Sequence, residues 1–170
     1  EIFFNFGEEN FSAHIANAIV YHRNERRISR TGELSAIIDK SLNHINRKHQ
    51  VEINSIKSKA RIFQALRIAV NDELGILEQS LLDAIYCLRP GGRLLVISWH
   101  SLEDRIVKQL FQRESLDCLC DKSIPLCICQ HKALVKIMTK KPVVPQENEI
   151  YENSNARSAK LRVVEKLGRK

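Results

Sequence analysis

Apolar residues in the first part of the chain recur at helical spacing. Phe11, Ile15, Ala18 and Ile19 share one face, which predicts an amphipathic helix over residues 10–21. Arg30-Thr31-Gly32-Glu33 reads as the start of a second helix. Thr31 can cap its free amides, Glu33 suits the positive end of the dipole, and Leu34, Ile37, Ile38 and Leu42 form the buried side. Residues 43–58 are rich in Asn, Lys and His with scattered apolar positions, and are predicted as a loop with room for one short helical turn. The pattern then changes. Leu66, Val70, Leu74, Leu77, Leu81 and Ile85 repeat every three or four residues and predict one long helix over residues 62–87. Gly75 lies inside it, where glycine costs about 1 kcal/mol relative to alanine; close packing against a neighbour is a reason to keep it.

Pro90-Gly91-Gly92 stops that helix in a tight turn. Arg93-Leu94-Leu95-Val96-Ile97-Ser98 carries a continuous apolar run over residues 94–97 and predicts a strand buried on both sides. Ser101 and Asp104 then form a candidate capping box for a helix whose core face carries Ile106, Val107, Leu110 and Phe111. Residues 133–139 and 159–164 are further strand candidates. With no long helix between them, they are expected to pair antiparallel at one edge of a sheet. Helix, turn, buried strand, polar loop and helix is an α/β order.

At 170 residues, 44% hydrophobic and 28% charged, the chain is long enough for one ordinary domain with a core. It opens on Glu1 and enters Ile2-Phe3-Phe4 at once, the expectation for a piece of a longer protein. No apolar run approaches the roughly 20 residues that span a bilayer. Five cysteines, with Cys87 alone in a helical pattern, argue against a secreted disulfide scaffold and for a reducing, cytoplasmic setting. The net charge of +7 gathers in patches at Arg23, Arg26, Arg27 and Arg30, at Lys57, Lys59, Arg61 and Arg67, and in the tail from Arg157 to Lys170. Such patches suit a polyanionic partner, though solubility alone is the plainer explanation.

In open α/β sheets chemistry gathers at the carboxyl ends of strands. Trp99-His100-Ser101-Leu102-Glu103-Asp104-Arg105 occupies that place. His100 can position or accept a proton. Asp104 can accept from an exocyclic amine or merely cap the helix, and Arg105 can hold phosphate or a packing carboxylate. The same stretch is also a good helix entry without any chemistry, and nothing supplies a third member for a serine triad.

Three long motifs carry a resemblance. They are Arg61-Ile62-Phe63-Gln64-Ala65-Leu66-Arg67-Ile68-Ala69-Val70-Asn71-Asp72-Glu73-Leu74, then the stretch from Leu88 through Pro90-Gly91-Gly92 to Arg105, and Asn155-Ala156-Arg157-Ser158-Ala159-Lys160-Leu161-Arg162-Val163-Val164-Glu165. Gly7-Glu8-Glu9 and Arg30-Thr31-Gly32-Glu33-Leu34 support them. Together they resemble the bacterial family that methylates the N4 amine of a cytidine in 16S ribosomal RNA, across essentially the whole chain. The resemblance implies S-adenosylmethionine as methyl donor and the decoding centre of the small ribosomal subunit as partner. It implies a doubly wound, Rossmann-like class I methyltransferase domain, of which residues 61–170 match the second half. Residues 1–60 match the later part of an inserted helical domain that grips RNA. On this reading His100, Ser101 and Asp104 are the catalytic candidates, and Trp99 and Arg105 together with Gln64 and Arg67 bind the substrate base and its backbone. Gln64 can pair with a base edge and Arg67 can hold phosphate, or each can be structural. The family's glycine-rich donor loop and ribose-binding acid precede this region. No Gly-x-Gly occurs here, so no cofactor-binding residue is assigned. The piece alone is expected to be inactive, with an exposed sheet edge and apolar face. A catalytically inactive RNA-binding remnant, or a methyltransferase with another substrate, are the alternatives.

Cys118-Leu119-Cys120 and Cys127-Ile128-Cys129 stand apart from these motifs, with Pro125 between them. Four thiolates suit a structural zinc ion, with His131 as a further possible ligand. The one-residue spacing is shorter than the usual structural pair, and a reduced cysteine-rich loop is the plainer alternative.

Overall fold

The computed structural model describes residues 1–50, 52–121 and 126–168; Pro125 and the last two residues of the basic tail lie outside them. The chain forms two compact units, Glu1–Glu73 and Leu74–Lys170. Among the described residues, no helix is long and apolar enough to cross a membrane.

The first unit is helical: α1 (Ile2–Asn5), α2 (Ser12–Glu25), α3 (Thr31–His49) and α4 (Ser55–Asn71). Ile15, Ile38, Leu42, Ile45 and Ile62 form its core, with Phe3, Phe11, Leu34 and Ile53 packed against them. Gly7 is required where α1 meets α4. A Cβ there would lie 2.7 Å from the Phe3 carbonyl oxygen and 2.9 Å from that of Arg61, so no larger residue fits without separating the helices.

Four local expectations for this unit change. The first helix begins at Ser12 and runs on past Tyr21 to Glu25. Thr31 is the first helical residue of α3 and not its cap; the Glu33 carboxylate reaches back to the Ser29 amide at 2.9 Å and the Arg30 amide at 3.4 Å. Those two bonds hold the Glu33 carboxyl below its ordinary pKa, the Ser29 amide foremost. Residues 43–49 are helix rather than loop. Leu42 and Ile45 extend the buried stripe, so the polar residues simply face solvent. After the helix, the Asn46 side chain accepts the Ile53 amide at 3.2 Å. Finally, the single long helix over 62–87 is two helices. Asp72 adopts a left-handed conformation (φ 49°, ψ 41°) and ends α4. Aspartate tolerates that conformation better than most residues. Val70, counted in the stripe by periodicity, faces solvent.

The second unit runs α5 (Glu73–Cys87), β1 (Arg93–Ser98), α6 (Ser101–Glu114), β2 (Val135–Ile137), α7 (Glu147–Glu152), a 3-10 turn (Ser154–Ser158) and β3 (Lys160–Lys166). This is a mixed α/β fold with an open three-stranded sheet in the order β1-β3-β2. Both pairings are antiparallel, with Leu95 opposite Val163 and Lys136 opposite Glu165. The two late strands therefore pair as expected, with β3 in the centre. Gly91 (φ 78°) makes the turn before β1. Its amide donates to the Lys166 carbonyl and that of Gly92 to the Arg89 carbonyl, each at 2.8 Å.

One face of the sheet is closed. Leu81 and Ile85 from α5 and Val107, Leu110 and Phe111 from α6 pack with Val135 and Val164, and Leu94 and Val96 join them. The other face is open: Leu95 is 58% exposed and Ile97 57%. β1 is thus not buried on both sides. Its continuous apolar run meets cover on one side only among the described residues.

Candidate functional site

The loop between β1 and α6 is held by reciprocal hydrogen bonds. The Glu103 carboxylate accepts from the Trp99 amide at 2.8 Å and the His100 amide at 3.3 Å. The Glu103 amide donates to His100 Nδ1 at 3.4 Å. The capping pair of α6 is therefore His100 and Glu103, not Ser101 and Asp104. The reason is register: the imidazole nitrogen acts as the cap acceptor one residue earlier than the serine. With Nδ1 accepting, the proton of a neutral imidazole sits on Nε2. That nitrogen is buried without a hydrogen-bond partner. It lies 3.2 Å from Glu103 Oε1, a Coulombic contact without hydrogen-bond alignment.

Asp104 belongs to a different network. Arg162 donates to both of its oxygens, at 2.7 and 3.1 Å, and Lys160 Nζ approaches at 3.4 Å. Asp104 and Arg162 are both buried. The Arg162 hydrogen bonds, helped by the charges of Arg162 and Lys160, hold the Asp104 carboxyl below its ordinary pKa against the opposing effect of burial. A carboxylate so stabilised is a poor proton acceptor near neutral pH. What it does here is tie the first turn of α6 to β3. Ser98 adds a weaker link, its hydroxyl donating to the Lys160 carbonyl at 3.4 Å.

Five of the residues singled out by sequence therefore lie together at this strand end: Trp99, half exposed; His100; the exposed Ser101 and Arg105, each with partners of its own; and Asp104. Gln64 and Arg67 belong to the first unit. Gln64 is half-buried on α4, and Arg67 forms a two-pronged ion pair with Glu73 at 2.8 and 3.1 Å. Both amides of the glycine turn at 91–92 are engaged, that of Gly91 by the Lys166 carbonyl on β3 and that of Gly92 by the Arg89 carbonyl within the turn.

The cysteines meet at a separate place, between α6 and β2. The sulfurs of Cys118, Cys120, Cys127 and Cys129 all lie within 4.8 Å of one another. The Leu119 and His131 amides pull the Cys129 thiol down to about 6. The Cys120 amide also favours the Cys118 thiolate, but the neighbouring thiols of Cys127 and Cys120, with desolvation, outweigh it and push Cys118 up to about 12.

Sequence reasoning missed a groove in the first unit. It lies between α2 and α3, has a volume of about 1210 Å³, and is lined among others by His14, Tyr21, His22, Lys40, His44 and Arg47. Tyr21 is 63% exposed and meets His22 edge-on, with ring centroids 5.6 Å apart. The signal was present in the spacing of His14, Ala18 and Tyr21, which places them on one helical face.

Over 166 residues, 98% of the chain is 47% identical to a protein of Carboxydothermus hydrogenoformans named ribosomal RNA small subunit methyltransferase H. Proteins of the same name from Brevibacillus brevis and Halothermothrix orenii are 46% and 45% identical, again over 98% of the chain. These alignments cover 51% and 52% of the relatives, so the chain spans about half the length of the curated relatives it matches. Residues 1–167 match the model of the MraW methylase family, and the chain belongs to that family.

Proposed function

We propose that this chain is the carboxy-terminal half of an S-adenosylmethionine-dependent enzyme that methylates the N4 amine of a cytidine in the decoding centre of 16S ribosomal RNA. The observation that carries the reading is the family match over residues 1–167. On this reading residues 61–170 form the second half of a doubly wound methyltransferase domain, and residues 1–60 the later part of an RNA-gripping insertion. S-adenosylmethionine would supply the methyl group from a site formed by the part of the longer relatives that this chain does not cover.

The chain's own residues would then bind and orient the RNA. A cytosine N4 amine is a weak nucleophile, because its lone pair is delocalised into the ring. Alignment and a polar surround supply much of the catalysis in such a case. Trp99 is the exposed ring on which an extruded base would stack. His100 Nε2–H is a buried donor suited to an acceptor on the cytosine edge. Asp104 serves as a positioning residue, fixing the loop through Arg162 and Lys160. In the first unit, the α2–α3 groove combines rings and cations, the surface that single-stranded RNA favours. Gln64, Arg67, Ser101 and Arg105 remain substrate-side candidates from the motifs that carry them.

The test is methyl transfer from labelled S-adenosylmethionine to small ribosomal subunits that lack the modification. It compares this chain with the protein at its natural full length. Label on the N4 of one cytidine with the longer protein only is the expected result. A folded, donor-binding longer protein that leaves the RNA unlabelled would overturn the assignment. RNA binding without transfer would then favour a binding-only role.

A further inference from the structure

The α6–β2 connection holds four thiols that no feature of the methyltransferase reading uses. Three of the four are exposed and the fourth is half-buried, so apolar packing does not bring them together. They nevertheless converge. Cys118 Sγ lies 3.4 Å from Cys127 Sγ and 3.8 Å from Cys129 Sγ, and the Cys127 and Cys129 sulfurs are 3.6 Å apart. A disulfide needs about 2.05 Å, so none of these pairs is bonded. A tetrahedral zinc ion with Zn–S bonds of about 2.3 Å has ligand sulfurs about 3.8 Å apart, the edge of that tetrahedron. The separations among Cys118, Cys127 and Cys129 lie close to that edge, and Cys120 Sγ is within 4.8 Å of each of them. They are too short for a polynuclear iron–sulfur cluster, whose thiolate ligands are spread over several irons.

The backbone supports the same conclusion. The Leu119 and His131 amides point at Cys129 Sγ, the Cys120 amide at Cys118 Sγ, and the Ile128 amide at Cys120 Sγ. Four thiolates around one divalent cation leave a net charge of about −2 on the site. Amide donors aimed at sulfur are what such a site needs around its ligands. The one-residue spacing within each pair is no obstacle, since Cys127 and Cys129 already stand at ligand separation. His131 contributes its amide; its ring stands outside the four-sulfur group.

We propose that Cys118, Cys120, Cys127 and Cys129 bind one zinc ion as a tetrathiolate site that clamps the connection between α6 and β2. The thiols lose their protons as the ion binds, and no oxidation or reduction is involved. The role is structural, because all four coordination positions are taken by protein and none is left for water or substrate.

The test uses the protein at its natural full length, purified under reducing conditions without chelator. Elemental analysis should find about one zinc per chain. Replacement with cobalt should give the visible bands and sulfur-to-metal charge transfer of a tetrahedral thiolate site. The double variant C118S/C127S should lose both signals, while C87S, whose thiol lies in α5 outside the group, should keep them. Because the double variant can also fail by misfolding, the wild-type protein is titrated as well. Its four thiols should resist a thiol reagent until a strong chelator is added, and then react together. Zinc-free protein that gives no cobalt spectrum and whose four thiols react at once would overturn the site. So would recovery of those thiols as two disulfides from reducing conditions.

Discussion

The two faces of the three-stranded sheet carry similar residues and have different surroundings. On the closed face, Leu94 and Val96 lie with Val164 against α5 and α6. On the open face, Leu95 and Ile97, from the same strand, stand more than half exposed. Strand sequence records a demand for cover on both sides. Which neighbour meets that demand is a property of the whole assembly, and the chain spans about half the length of its relatives. The difference marks which side of β1 this chain's own helices cover and which side they leave exposed.

The largest effect is expected on the closed face. Phe111 is almost completely buried in the cluster that joins α5, α6 and the sheet. Phe111→Ala should destabilise the second unit by about 4 kcal/mol, the usual cost of removing a buried ring. Urea unfolding followed by circular dichroism measures it directly. A loss below about 1 kcal/mol would mean that this face is not the core of the unit and would break the comparison.

How far the sequence foretold this structure depends on the range of the interaction. Pro90-Gly91-Gly92 marks its turn because a positive φ at Gly91 needs a residue without a Cβ. The three strands were visible as short apolar runs between turn signals, within a few residues of their ends. Asp72 was not, because one aspartate inside a helical period looks like any solvent-facing residue until its backbone turns left-handed. His100 was recognised as a candidate for chemistry but not as a cap, since histidine is rarely the acceptor there. The link from Asp104 to Arg162 spans 58 positions. Each is plain in its own motif, yet no local rule pairs them. The cysteines are the intermediate case: residue type suggested a metal, and only the folded chain shows the sulfur separations.

The Asp104–Arg162 pair also closes that face and gives the next effect. Asp104→Asn leaves the buried guanidinium without its counter-charge, which should destabilise by about 3 kcal/mol at neutral pH. The sign of its pH dependence follows from the depressed carboxyl pKa. Stability from an aspartate whose folded pKa is lowered is fully present above the unfolded value of about 3.9, and is lost as pH falls through the folded value. The gap between wild type and Asp104→Asn should therefore be widest at neutral pH and shrink in acid below about pH 4. A gap that stays constant from neutral pH into that acid range would show that the ion pair is not its source.

The smallest effect belongs to the open face and depends on context. In this chain Leu95 and Ile97 give little packing, so L95T/I97T should change stability by no more than about 0.5 kcal/mol. Threonine is β-branched, as Ile97 already is, and suits a strand while removing apolar surface. Less exposed apolar surface should also raise the concentration at which the chain begins to aggregate. In the protein at its natural full length, the same pair should be destabilising by about 2 kcal/mol if further secondary structure covers this face. The two measurements separate the alternatives. Equal and small effects in both forms would make the face a true surface. A loss that appears only in the longer form would show that β1 ends as its sequence reads, buried on both sides, with one side supplied from beyond these residues.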